Sequence, residues 1–158
     1  MHKPMTLEQL QTLQGQPLGT SGWHTLDQPR INGFADVTED WQFIHVDPQR
    51  AQTESPFGGT IAHGFLALSL LPAMAGEAMP WFNAAAVVIN YGCNTIRFLT
   101  PMPSDSRVRG HFTLQQVTPK TPERTLLGFH VEMEIEDHAK PALVAEWLGM
   151  LVSGQGAS

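Results

Sequence analysis

The chain has 158 residues, of which 42% are hydrophobic and only 15% charged, and carries a net charge of −6. That length suits one domain with a sizeable core, and an acidic balance without any basic run argues against nucleic acid as the main partner. An anionic small ligand needs only a few local donors and stays open, while the low charged share points to surface covered by a partner subunit.

Cys93 is the only cysteine, so no internal disulfide forms and a reducing compartment is expected. The start, "MHKPMTLEQLQ", lacks the apolar run of a secretory signal, and "AHGFLALSLLPAMAG" is too short to span a membrane. The expectation is a soluble, cytoplasmic protein with one domain over residues 1–152. "SGQGAS", at 153–158, would be a loose tail.

In chain order, Thr6 with Gln9 three residues on is a capping box for a short helix carrying Leu7, Leu10 and Leu13 on one face. A short strand is expected at Trp23–Leu26. Asp27 then caps a helix over Gln28–Val37, with Ile31, Phe34 and Ala35 at core spacing.

"TEDWQFIHVD" follows directly, with Asp40 and His45 five residues apart. On a helix the two would diverge by roughly 140°, and on a strand an odd separation sends them to opposite faces. If they act together, the segment must be an irregular loop.

Asp47 and Pro48 open a further helix as N-cap and first residue. "SPFGGT" reads as a loop, with Thr60 or a neighbour capping what comes next. From Ala62 to Leu71 nearly every residue is apolar, Ser69 excepted, so this helix should be buried on all sides and should kink or restart at Pro72.

The back half alternates with period two. In "RVRGHFTLQQV", Val108, Phe112 and Leu114 share a face; in "TLLGFHVEMEIE", Leu127, Phe129, Val131, Met133 and Ile135 do. "ALVAEWLGMLV" is apolar on both faces and reads as a central strand covered on both sides. In "AVVINYGCNTIRFL" the parity slips between Ile89 and Ile96, and one extra residue near Gly92, a β-bulge, would restore a common facing. Short proline-rich turns imply antiparallel neighbours throughout. The sum is an α+β chain: a long curved antiparallel sheet around one apolar helix, the hot-dog arrangement, although an ordinary α+β sandwich fits nearly as well.

Two stretches, "DWQFIHVDPQRA" and "SPFGGTIAHGFLALSLLP", resemble the MaoC-like dehydratase family of (R)-specific enoyl-CoA hydratases, and "NYGCNTIRFLTPMP" extends the likeness toward its nodulation-protein-N branch. The likeness runs roughly from Ile31 to Arg109. The family's acid and histidine fall on Asp40 and His45, its Asn on Gln42, and its Pro on Phe43. Where the family usually has Gly before the acid, this chain has Glu39.

What the resemblance implies is reversible addition of water to trans-2-enoyl-CoA, giving (R)-3-hydroxyacyl-CoA. Asp40 would be the base, His45 the water-orienting group and the Gly64 amide the oxyanion donor. Ser69 and His63 would be supporting residues beside Gln42. Coenzyme A would enter as part of the substrate with no cofactor or metal required, and hot-dog sheets pair edge to edge, so a homodimer is expected.

Plainer readings stand beside these. Asp40 and His45 could be a solvated loop acid and a surface histidine, His63 a structural residue, and Asp47 a helix cap alone. His45, Asp47 and His63 could suggest a metal, but His-x-Asp is a weak signal without a clear fourth ligand. No nucleophile-elbow pattern surrounds Ser69, which is expected to bond its own helix backbone or Asp40. Arg97, Arg107 and Arg109 could reach coenzyme A phosphates or line a wet sheet face. A hot-dog thioesterase and a non-catalytic acyl-thioester-binding protein remain as alternative functions.

Overall fold

The computed structural model describes residues 5–79 and 86–153; most of the expected tail, and any signal at the extreme N-terminus, lie outside the described residues. The elements run α1 (Leu7–Thr12), β1 (Pro17–Thr20), β2 (His24–Thr25), α2 (Gln28–Thr38), α3 (Phe43–Val46), α4 (Pro48–Glu54), α5 (Gly64–Ser69), α6 (Leu71–Ala78), β3 (Ala86–Phe98), β4 (Arg107–Thr121), β5 (Arg124–Ile135) and β6 (Leu143–Ser153). Every strand pairing is antiparallel. The sheet order is β1-β4-β5-β6-β3, with β2 also pairing β4.

The capping chemistry acts as the residues suggest. Thr6 and Gln9 bond each other's backbone reciprocally, Asp27 accepts from the Arg30 amide, and Asp47 accepts from the Arg50 amide with Pro48 beside it. Each satisfies a donor that a helix start leaves orphaned. Thr60 does not cap α5; its hydroxyl donates to Gln28 Oε1 at 2.6 Å, and the N-cap position falls to His63.

Pro72 divides the apolar segment as expected. Without an N–H it cannot bond back to Leu68, so α5 stops at Ser69 and α6 restarts at Leu71 with the proline in its first turn. Leu66, Ala67, Leu71, Met74 and Ala75 are buried against the inner sheet face, where Val108, Phe112, Leu127, Phe129 and Met133 meet them. Burial is not complete on all sides, however. Phe65 is 64% exposed and Leu68 is half-buried, because that flank of α5 faces the free edge of the sheet at β3. No element among the described residues closes that side.

Three further sequence expectations are corrected. β6 is central, but only Leu143, Ala145, Trp147, Gly149 and Leu151 are buried; Val144, Leu148 and Met150 face outward and are half-buried, with no second layer over them among the described residues. β3 has two register shifts, at Asn90/Gly92 and Cys93/Thr95, where one was expected. Two bulges cancel in parity, so Val88, Ile96 and Phe98 face inward while Val87 and Ile89 face out. Finally, β3 and β4 are not neighbours: residues 99–106 carry the chain across the end of the layer to the far side of the sheet.

That crossing is what positions the next part of the molecule. Leu99 N–H donates to the Ala142 carbonyl, Ala62 N–H to the Met102 carbonyl and Ser104 N–H to the Thr60 carbonyl, and Ile61 bridges Pro103. These bonds clamp the approach to α5 against the end of the sheet. No helix among the described residues is long and apolar enough to cross a membrane.

Candidate active site

The α2–α3 junction is built to reverse direction within a few residues. Helix α2 ends on Glu39, which takes the left-handed conformation at φ 61° and ψ 23°. This is a turn that glycine adopts freely and that costs another residue roughly 1–2 kcal/mol. Asp40 follows in irregular backbone, and Phe43–Val46 then form a single helical turn. His45 therefore sits on a short helix rather than in a wholly irregular loop. The break between the two residues does what no continuous element could, and their side chains converge.

His45 is 8% exposed, and its Nδ1–H donates to the Ile61 carbonyl at 2.7 Å. A carbonyl only accepts, so Nδ1 carries the proton and the neutral ring presents the Nε2 lone pair on its other side. Burial pushes the His45 pKa below its usual 6.5, against the opposing pull of the Ile61 carbonyl, and the positive potential of His63 adds to the lowering while Asp40 opposes it. At pH 7 the ring is neutral. Its backbone is also held: Gln28 Nε2 donates to the His45 carbonyl at 2.7 Å and is itself fixed by Thr60. This Gln28–Thr60 brace escapes the sequence reading because nothing in either residue's immediate context marks the pairing.

His63, 3% exposed, lies face to face with His45, with ring centroids 3.8 Å apart and planes at 24°. Its Nε2 donates to the Asp40 carbonyl oxygen at 3.0 Å and lies 3.9 Å from the Asp40 carboxylate. Nitrogen and oxygen atoms of Asp40, His45 and His63 lie within 4.8 Å of one another. Asp47, which the sequence could place with these histidines, is instead spent on capping α4.

Asp40, His45, His63, Gly64 and Ser69 all line one cavity of about 840 Å³, which Phe34, Phe98 and Met102 make largely apolar. Asp40 is 54% exposed at its mouth. Gly64 opens α5, and its amide has no intrahelical partner. A Cβ on Gly64 would stand 2.9 Å from the Phe98 ring, so any larger residue there must displace the ring at the end of β3 or the start of α5. Ser69 donates its hydroxyl to the Phe65 carbonyl at 2.7 Å, its own helix backbone. Gln42 does not reach the cavity; its carbonyl accepts the His45 amide at 2.9 Å, and its side chain makes no capping bond. Arg107 and Arg109 pair with Glu136 and Glu134 on the outer sheet face, remote from this cavity's lining.

A hot-dog sheet with a carboxylate and an imidazole meeting over the leading end of its enclosed helix defines a MaoC-like domain, and the chain belongs to that family: the model described as "MaoC like domain" matches residues 9–128. Among its relatives are nodulation protein N of Rhizobium meliloti (strain 1021), 48% identical over 150 residues with 95% of this chain and 92% of that protein covered. Another is 3-hydroxyacyl-thioester dehydratase Z of Mycobacterium tuberculosis (strain ATCC 25618 / H37Rv), 44% identical over 132 residues, covering 84% and 86%. Among solved structures, the monoamine oxidase regulatory protein of Archaeoglobus fulgius matches with TM-score 0.80 at 20% identity, covering 98% of both chains. The (R)-hydratase of A. caviae matches with TM-score 0.67 at 19% identity, covering 84% and 94%. These structural likenesses establish the hot-dog fold.

Proposed function

We propose that this protein is an (R)-specific enoyl-CoA hydratase that reversibly adds water to trans-2-enoyl-CoA. The observation that carries the reading is the meeting of Asp40 and the His45 Nε2 lone pair in one cavity with the free Gly64 amide. Membership of the MaoC-like family and the likeness to a thioester dehydratase support it.

In this scheme one water donates its two hydrogens to Asp40 and to His45 Nε2, which leaves an oxygen lone pair aimed at C3 of the substrate. Attack forms the C3–O bond as Asp40 takes a proton from the water. The electron pair of the double bond moves toward the thioester oxygen, where the Gly64 amide receives the developing charge. The enolate then collapses with protonation at C2 by the same acid–base pair, so the net change is one H and one OH across the double bond. His63 contacts both groups, Ser69 lines the same cavity, and Gln42 holds the His45 amide through its backbone carbonyl. The scheme calls on no metal or redox cofactor, because adding H and OH across the double bond is an acid–base step with no net oxidation, and coenzyme A enters as part of the substrate.

We also assign a cytoplasmic location and a homodimer. Edge strand β3 is unpaired on one side and exposes Val87, Ile89, Tyr91 and Phe98, apolar area that a second copy would cover.

Purified protein incubated with crotonyl-CoA tests the reading: hydration consumes the conjugated thioester and releases no thiol. Release of free coenzyme A thiol would indicate a hot-dog thioesterase instead. Saturable acyl-CoA binding in a calorimeter with no turnover on any chain length would indicate a non-catalytic binding protein, a role the likeness to nodulation protein N leaves available.

A further inference from the structure

His63 touches both Asp40 and His45 and adjoins Gly64 in the chain. Its ring lies on His45 at 3.8 Å, its Nε2–H is bonded to the Asp40 carbonyl at 3.0 Å, and it is the N-cap residue directly preceding Gly64. Phe34 of α2 closes the ring's surroundings, with centroids 5.0 Å apart. At 3% exposure an imidazole fixed from several sides has no rotamer freedom left, and its Nδ1 finds no hydrogen-bond partner among the described residues. A buried polar atom left unpaired is destabilising, so packing alone gives no reason for a second ring nitrogen at this place.

We propose that His63 is a positioning residue: it sets the Asp40 carboxylate and the His45 imidazole at the separation that holds one water, by tethering the backbone of the first and stacking on the ring of the second. The proposal rests on the hydratase reading. Asp40 needs such a tether because it stands in irregular backbone after a left-handed turn, with most of its side chain in solvent. His45 needs the stack because its one side-chain hydrogen bond among the described residues, to the Ile61 carbonyl, leaves the ring free to tilt about that bond. Placement matters steeply in such sites, where an error near 1 Å costs about 10²-fold in rate.

Two variants separate the two contacts. His63→Gln keeps an amide donor for the Asp40 carbonyl and loses the stack; His63→Phe keeps the ring and loses the donor. Each is expected to lower kcat on crotonyl-CoA by about tenfold or more with KM changed less than about threefold, because orientation is lost while the substrate's own contacts remain. Among the described residues lining the cavity, Asp40, His45 and His63 are those with ionisable side chains; α2 contributes Phe34 and Thr38, and residues 98–102 contribute no ionisable group. With His63 gone, one of the influences holding the His45 pKa down is removed, so the acid limb of the pH–rate profile should move to higher pH in both variants.

The imidazole nitrogen shifts of His45, followed by NMR across the same pH range, read the same quantity without turnover. An inactive wild-type protein would therefore remove the hydratase reading while still leaving His63 on trial. The proposal is overturned if both variants, corrected for the folded fraction, keep kcat within about twofold of wild type and leave the His45 titration and tautomer unchanged. Should His63→Phe fail to fold, His63→Gln alone decides by the same criteria.

Discussion

Replacing Gly64 by alanine asks whether the amide at the head of α5 does chemistry or merely begins a helix. The added Cβ would lie 2.9, 2.9 and 3.0 Å from three atoms of the Phe98 ring. Carbon atoms prefer about 3.5–4.0 Å, so the ring or the helix start must yield by roughly 0.5–1 Å. Phe98 is 44% exposed and stands at the end of an edge strand, so it can swing outward, and the stability cost should stay near the lower end of the 1–3 kcal/mol typical of overpacking. That corresponds to a Tm lower by about 2–4 °C. The rate should suffer far more, because the share of that movement taken up by the helix start carries the amide off the oxyanion: kcat on crotonyl-CoA should fall by up to about 10²-fold. Phe98→Ala removes all three colliding ring atoms, so the Gly64→Ala/Phe98→Ala double variant should recover much of the loss, a coupling that additive sites do not show. The assay is the decay of enoyl-thioester absorbance beside a thermal melt. A Gly64→Ala protein as active as wild type would refute the reasoning, whatever its Tm.

Asp40→Asn and His45→Gln should each lower turnover by about 10²–10⁴-fold and leave the far-UV circular dichroism unchanged; retained activity in both would remove the assigned roles. Thermal stability should fall as pH drops below 6.5, the unfolded-state value for His45. There the unfolded chain takes up a proton that the folded, buried ring resists, so stability present above 6.5 is progressively lost through the lower folded pKa. A Tm series against pH should show a shallower acid slope in His45→Gln than in wild type. Glu39→Gly relieves a left-handed residue at a cost of about 1–2 kcal/mol but adds unfolded-state freedom, so Tm should rise by no more than about 3 °C; a fall would mean that the Glu39 side chain makes a stabilising contact.

How much of this was legible in the residues depends on the range of the interactions. Caps are local, so Thr6, Asp27, Asp47 and the break at Pro72 could be read directly. Period-two alternation marked the inward faces of β4 and β5 correctly, because one layer covers them. It misjudged β6, whose outward apolar residues have no covering layer among the described residues, and in β3 it took the outward Val87 and Ile89 for the inward face, which created a parity slip that two bulges, cancelling modulo two, do not contain. β1 escaped altogether, since "PLGT" is too short to show a period. The candidate acid and histidine came from the resemblance rather than from spacing, which only excluded a continuous helix or strand. The reversal that lets them meet lies in the left-handed Glu39, a conformation that glycine at that position would have signalled. The His45–His63 stack and the Gln28 brace join distant segments, and no local pattern encodes them.

Turnover of crotonyl-CoA in water enriched in heavy oxygen, with the products separated by mass spectrometry, bears most directly on what Asp40 and His45 do together. The account predicts an intact coenzyme A thioester carrying one heavy oxygen at C3, in the R configuration. Label found instead in a free carboxylate alongside released thiol, or an unlabelled thioester recovered from protein that binds it, would contradict the account.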